Sequence, residues 1–187
     1  RPDGRPMGPP AGVQPGASYD YDPLGRLVAV HPFGTSRTPE QHFIYRDALN
    51  PIAWSRPAAH HCDVGTEDTL FFVYASMPDT PDLAYVDECS DGSIDATWRY
   101  LADERGSVRF VLDASSAEVI QEISYDAWGV PDFAGGSDAA NLQPFGYIGG
   151  IWDAETGFWR LGARDYDPSI GRWTTKDPAG FEGGVAE

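Results

Sequence analysis

The stretch Ser18-Tyr19-Asp20-Tyr21-Asp22-Pro23-Leu24-Gly25-Arg26-Leu27-Val28-Ala29-Val30 decides the fold. Tyr and Asp alternate from 19 to 22, the two-residue period of a half-buried strand. Pro23-Leu24-Gly25 then turns the chain, and Arg26 to Val30 runs back out. Pro presets φ for such a turn, Gly accepts a positive φ, and an Asp just ahead can take up the turn amides. The same unit recurs as Tyr125-Asp126-Ala127-Trp128-Gly129, Trp152-Asp153-Ala154-Glu155-Thr156-Gly157 and Tyr166-Asp167-Pro168-Ser169-Ile170-Gly171. Arg follows the glycine at once in the first and last copies, as Arg26 and Arg172, and a degenerate copy lies at 43–50. In each unit the ring should pack on a sheet, the Asp cap the turn and the Gly take the left-handed conformation. Hairpins stacked in this way bury one another's apolar faces.

Outward from the repeats, the clearest hairpin is Arg105 to Asp113 followed by Glu118 to Tyr125, turned by Asp113-Ala114-Ser115-Ser116. Strict alternation puts Val108, Phe110 and Leu112 on one face of its first strand, and Val119, Ile123 and Tyr125 on one face of its second. A helical period is hard to find, a short turn near Asp138 to Leu142 being the best candidate. The chain reads as all-β. Its tryptophans, at 54, 98, 128, 152, 159 and 173, are expected mostly in the core of such a strip and only secondarily as sugar-stacking faces.

The 187 residues can bury a real core, and 21 Gly with 16 Pro require frequent turns. Aromatic residues at 13% exclude a chain disordered throughout. Thirteen basic against 29 acidic residues leave a net charge of −16, a field that repels phosphate backbones and anionic lipid. Nucleic acid and membrane insertion are therefore not expected. No apolar run approaches bilayer length, the longest lying near Leu70 to Tyr74. Arg1-Pro2-Asp3-Gly4 leads into Pro and Gly in place of an apolar leader, which is compatible with an internal piece of an exported precursor. Residues 1–18 read as an extended Pro/Gly-rich segment, to be held by a larger assembly or a neighbouring chain.

Cys62 and Cys89 are the only cysteines and are expected to form one disulfide, since nothing else in the chain offers either a partner. His60-His61-Cys62-Asp63 gathers metal-ligating types, yet adjacent histidines on a strand point to opposite faces. Asp87, Glu88, Asp91 and Asp95 lack the EF-hand spacing and read as a solvated acidic loop. Ser107 lacks the second glycine of a hydrolase elbow, and no Gly-rich phosphate loop is present. No cofactor and no metal are called for.

Tyr19-Asp20-Tyr21-Asp22-Pro23-Leu24-Gly25-Arg26-Leu27 resembles a YD repeat, the unit of bacterial Rhs proteins, insecticidal toxin-complex C subunits and teneurins. From about Thr69 onward the chain is similar to the Rhs-repeat-associated core domain. That match rests on Tyr74-Ala75-Ser76-Met77-Pro78-Asp79, Gly106-Ser107-Val108-Arg109 and Ser124-Tyr125-Asp126-Ala127-Trp128-Gly129. Its densest part runs from Gln143-Pro144-Phe145-Gly146-Tyr147 through Leu161-Gly162-Ala163-Arg164-Asp165-Tyr166-Asp167-Pro168 to Gly171-Arg172-Trp173 and Lys176-Asp177-Pro178. The resemblance implies antiparallel β-hairpin repeats in a curved or spiralling strip, part of a β shell. It divides the chain into residues 1–18, a degenerate repeat region at 19–68 and the core domain at 69–187.

The same resemblance implies the C-terminal part of a YD-repeat protein, secreted or on the cell surface. Such a part builds and closes a shell around or next to a C-terminal effector, its partners being that effector and the rest of its own shell. Many members cut themselves with a pair of aspartates, and the motif carries that role onto Asp165 and Asp177, with Arg164 beside the first. Two departures stand out: relatives continue past the position of Glu187 with an Asn-Leu-Tyr type segment, and their shells are several times longer.

The residues themselves allow both a catalytic and a bland account. Two carboxylates brought together share a proton, and such a pair can act as acid and base on a water. Asp165 and Asp177 flank the Pro168 to Gly171 turn, so a hairpin could set them side by side, with Arg164 and Lys176 holding one of them ionised. The bland account makes Asp167 and Asp177 turn caps ahead of proline. A rival to the shell is an adhesin or self-assembling fibre module, in which open sheet edges accept strands from identical copies.

Overall fold

The structure, a computed structural model, describes residues 17–32, 40–47, 50–58, 62, 67–134 and 141–176. Ten strands follow one another as an antiparallel meander. They are β1 (Ala17–Tyr21), β2 (Leu27–Pro32), β3 (Gln41–Tyr45), β4 (Pro51–Pro57), β5 (Glu67–Val73), β6 (Leu83–Asp87), β7 (Ala96–Ala102), β8 (Val108–Asp113), β9 (Val119–Tyr125) and β10 (Pro131–Phe133). A second, four-stranded sheet comprises β11 (Ile151–Asp153), β12 (Phe158–Leu161), β13 (Arg164–Asp167) and β14 (Arg172–Trp173). Neither sheet closes on itself, and β1 and β10 are the edges of the longer one. β4 and β5 pair from Ala53↔Phe71 to Pro57↔Glu67, so the sheet is continuous across residue 68. No described helix is long and apolar enough to cross a membrane. Residues 1–16 and most of the helical turn expected at 138–142 lie outside the described residues.

The repeat unit behaves as its chemistry requires. Asp22 Oδ1 accepts from the amides of Leu24 and Arg26 at 2.9 and 3.0 Å, and Gly25 sits at φ +78°. Asp126 accepts from Trp128 and Val130 ahead of Gly129 at φ +91°, and Asp153 from Glu155 ahead of Gly157 at φ +71°. Asp167 accepts from the amide and hydroxyl of Ser169, making it a turn cap as the residues alone suggested. Asp47 serves Asn50 in the degenerate copy. One further unit has the same geometry: Asp103 accepts from Arg105 and Ser107 ahead of Gly106 at φ +83°. Ala102 stands there where the four clear copies carry a ring.

Alternate residues build a single buried face. Phe43, Trp54, Leu70 and Val86 stand opposite one another across β3 to β6, and Phe72, Ala84 and Trp98 form the next row. Fully burying a large side chain of this kind contributes about 1.5–3 kcal/mol, so such rows dominate the stability.

Strict alternation fails in the β8–β9 hairpin. Register shifts between Leu101 and Ala102 and between Val111 and Leu112 show an extra residue on one strand at each place. Val108 and Val111 are therefore both fully buried, while Phe110 and Leu112 leave that face. On β9 the buried face carries Gln121 and Ile123, and Val119 is exposed. The tryptophans also divide: Trp54, Trp98 and Trp159 are core, whereas Trp128 and Trp173 are exposed.

The small sheet and the connector before it cover the buried face. Phe145 meets Phe72, Tyr74 and Tyr100 edge-on, with ring centroids 4.8, 6.4 and 6.4 Å apart. Gln143 pins this connector: its Nε2 donates to Gln121 Oε1 and to the Phe145 carbonyl, and its Oε1 accepts from the Phe145 amide. Trp159, wholly buried, donates from Nε1 to the Gly129 carbonyl at 2.8 Å. Its ring lies so close to Gly146 that a Cβ built there would fall 2.1 Å from it.

Candidate functional site

The hairpin β12–β13 carries the site. Leu161 pairs with Arg164 around a two-residue turn, Gly162-Ala163, and Arg160 consequently stands directly opposite Asp165. Arg160 Nη2 lies 2.8 Å from Asp165 Oδ1 and 3.0 Å from Oδ2. The same nitrogen donates to the Tyr21 hydroxyl at 3.0 Å, and the guanidinium sits 4.8 Å from the centre of the Tyr21 ring. The small sheet is thereby joined to β1 of the long one. Both partners are largely removed from water, with side-chain exposures of 8% for Arg160 and 17% for Asp165. Burial raises the Asp165 pKa above the usual carboxylate value; Arg160 opposes that rise and Asp153 adds to it.

Arg164, the cation next to Asp165 in sequence, stacks its guanidinium 3.9 Å from the centre of the Trp173 ring. Successive strand residues point to opposite faces, which is why Arg160 and not Arg164 answers Asp165. Sequence reasoning missed Arg160, although a two-residue turn fixes the register that reveals it. Thr174 donates to the Asp165 carbonyl from its amide at 2.9 Å and from its hydroxyl at 3.0 Å. Asp177, the second expected aspartate, lies outside the described residues.

A cavity of about 390 Å³ opens beside this hairpin, lined among others by Arg26, Tyr45, Asn50, Asp79, Arg160, Leu161, Ala163, Arg164 and Trp173. Arg26 is held in place by Asp22 through an ion pair and stacks 5.0 Å from the Tyr45 ring centre. Burial pushes the Tyr45 phenol up to about 12.

Elsewhere, Cys62 and Cys89 are joined, with Cα atoms 5.5 Å apart. His60, His61 and Asp63 lie outside the described residues. The acidic loop serves its own backbone: Asp87 accepts from Asp91 and Gly92, Asp91 from Ser93, and Asp95 from Glu88. Ser107 is buried and accepts from the Ile148 amide.

Comparison with known proteins places this architecture. Chicken (Gallus gallus) teneurin-1 is 31% identical over 163 residues, covering 84% of this chain and 5% of that protein. The tRNA3(Ser)-specific nuclease WapA of Bacillus spizizenii is 27% identical over 165 residues, covering 88% of this chain and 6% of the relative. This chain thus spans about a twentieth of the length of these relatives. Among solved structures, the TcdB2-TccC3 crystal structure aligns with a TM-score of 0.49 at 19% identity, over 89% of this chain and 9% of that one. The model of the family described as the teneurin YD-shell matches residues 13–184. With Asp-capped hairpins throughout the described strip and a family match across nearly the whole sequence, the chain belongs to the teneurin YD-shell family.

Proposed function

We propose that this chain is the C-terminal part of a YD-repeat protein and that it closes one end of a β shell next to a C-terminal effector. The observation that carries the reading is the return of β11–β14 and the 143–150 connector over the buried face of the strip, sealed by Phe145 and Trp159. A strip capped at its C-terminal side and, among the described residues, open at the β1 edge suits addition of further repeats at that edge. The divisions at residues 18 and 68 are then divisions of repeat type within one strip. An extracellular setting is supported by the family and by the Cys62–Cys89 bridge, which persists in oxidising compartments.

Self-cleavage by Asp165 with Asp177 is the enzymatic part of this proposal. Burial makes Asp165 a stronger base, and Arg160 opposes that rise from across the hairpin. Asp165 would take a proton from water as that water adds to the scissile carbonyl. Asp177 would give its proton to the departing amide nitrogen, so that the C–N bond breaks as a carboxyl forms. Support comes from Thr174, which ties the chain three residues before Asp177 to the Asp165 carbonyl. The test is a precursor expressed with its natural downstream sequence. Asp165→Asn and Asp177→Asn should each leave it uncut on a gel, and unchanged processing in both would dispose of the claim.

A surface adhesin or fibre is the second reading, favoured by a β1 edge that no other described strand pairs and by exposed Ile44, Phe71 and Tyr85 on the opposite face of the strip. Light scattering separates it from the first, because a chain that stays monomeric at all concentrations does not build fibres.

A further inference from the structure

Two repeat tyrosines direct their hydroxyls at backbone: Tyr125 donates to the Val108 carbonyl at 2.7 Å and Tyr166 to the Trp128 carbonyl at 2.8 Å. Tyr21 departs from this use. Its hydroxyl accepts from Arg160 Nη2 at 3.0 Å, from a residue 139 positions away in the chain, and the guanidinium sits 4.8 Å from its ring centre. The same Nη2 holds Asp165. A guanidinium is a planar, rigid fork, so a contact that fixes its plane also fixes the acceptor beside it. Tyr21 as a whole is 36% exposed, yet burial raises its phenol pKa, so the hydroxyl end is the covered end. The charges that act on Asp165 are Arg160 on β12 and Asp153 on β11, and Tyr45 on β3 lies near enough to feel Arg160 as well.

We propose that Tyr21 is a positioning residue for Asp165: through Arg160 it holds the ion pair in one orientation and covers it on the β1 side. The proposal rests on the self-cleavage reading and adds a condition to it. Tyr21 belongs to β1 and Asp165 to β13, so the carboxylate is set only once the small sheet has folded back onto the first described strand. Cleavage then follows closure of the strip.

The precursor with its natural downstream sequence, kept uncut in urea and diluted into buffers from pH 4 to about 8, tests this. Tryptophan fluorescence follows folding and gels follow the cut in the same samples, so slow folding is not read as slow cleavage. Tyr21→Phe, which keeps the ring and removes the hydroxyl, should slow cleavage about fivefold. Tyr21→Ser, which removes both, should slow it at least about tenfold. It should also move the acid limb of the pH profile to lower pH, because water reaching the pair weakens the burial that raises Asp165. Gly25→Ala strains the same hairpin without touching these contacts, so once folded it should keep the parent's rate and acid limb. Asp165→Asn shows which claim fails. If it still cuts, or if the parent never cuts, the self-cleavage reading falls and this proposal with it. If Asp165→Asn stops the cut while Tyr21→Phe and whichever Tyr21→Ser chains fold keep the parent's rate and acid limb, this proposal alone falls. A Gly25→Ala profile equal to that of Tyr21→Ser would also overturn it, since the contact would then be a staple between the sheets and nothing more.

Discussion

Arg160 and Asp165 face each other across the two-residue Gly162-Ala163 turn, 2.8 Å apart, and Tyr21 of the first strand closes the same cluster from the other sheet. The first described hairpin and the β12–β13 hairpin of the second sheet therefore meet in one buried polar group. Removing one member of a buried ion pair strands the other. Arg160→Ala should cost about 3–5 kcal/mol in urea unfolding, whereas Arg160→Leu with Asp165→Leu should recover much of it. An additive double variant would mean that the two residues do not act as a pair.

Gly146 is required by Trp159. A methyl group there would collide with a fully buried indole that is itself fixed by its bond to the Gly129 carbonyl. Gly146→Ala should therefore destabilise by at least about 1–3 kcal/mol. Gly25→Ala, which meets no atom within 4 Å and suffers only from its positive φ, should cost about 1 kcal/mol. Thermal melts of the two variants check the order, and equal midpoints would contradict it.

His31 bridges Asp20 on β1 and Glu40 at the start of β3, at 3.0 and 3.1 Å, and His42 lies close by, 3.6 Å from Glu40 and 3.8 Å from Glu67. The His31 pKa is raised, chiefly by the Asp20 hydrogen bond, with desolvation opposing the rise and Glu40 adding to it. A raised folded-state value means that the stabilisation is complete below about pH 6.5, the unfolded value, and is lost as pH rises through the folded one. His31→Asn should flatten the pH dependence of stability in that window, as read by urea midpoints from pH 5 to 9.

The Cys62–Cys89 bridge ties together the two ends of the segment that contains the β5–β6 hairpin. Reduction should lower stability by about 3 kcal/mol, chiefly by releasing the unfolded chain. Unfolding with and without reductant, beside a Cys62→Ser/Cys89→Ser double variant, measures it. Identical curves would show that the bridge contributes nothing.

The repeats could be read from Tyr21-Asp22 and its copies because cap, turn and glycine are all local. Asp103 escaped notice because its unit keeps the cap and the glycine but has Ala102 in place of the ring. The faces of β8 and β9 were misassigned because a bulge adds one residue on one strand only, and no residue there announces it. Asp165 was legible as a candidate, but its partner was not. Chain adjacency suggests Arg164, while strand geometry selects Arg160, and only the register decides between them. The covering of the strip by its own C-terminal sheet depends on contacts such as Phe145 to Phe72, far apart in sequence and carrying no local signal.

The central claim is that this strip continues through its β1 edge into a longer shell that its own C-terminal sheet closes. Cryo-electron microscopy of the precursor, with its natural sequence on both sides, tests this most directly. The account predicts that the Ala17–Tyr21 strand pairs antiparallel with a preceding repeat of the same chain, while β11–β14 stay seated on the buried face and the effector lies next to the closed end. A free Ala17–Tyr21 edge, or one paired with a strand of another molecule, would contradict it.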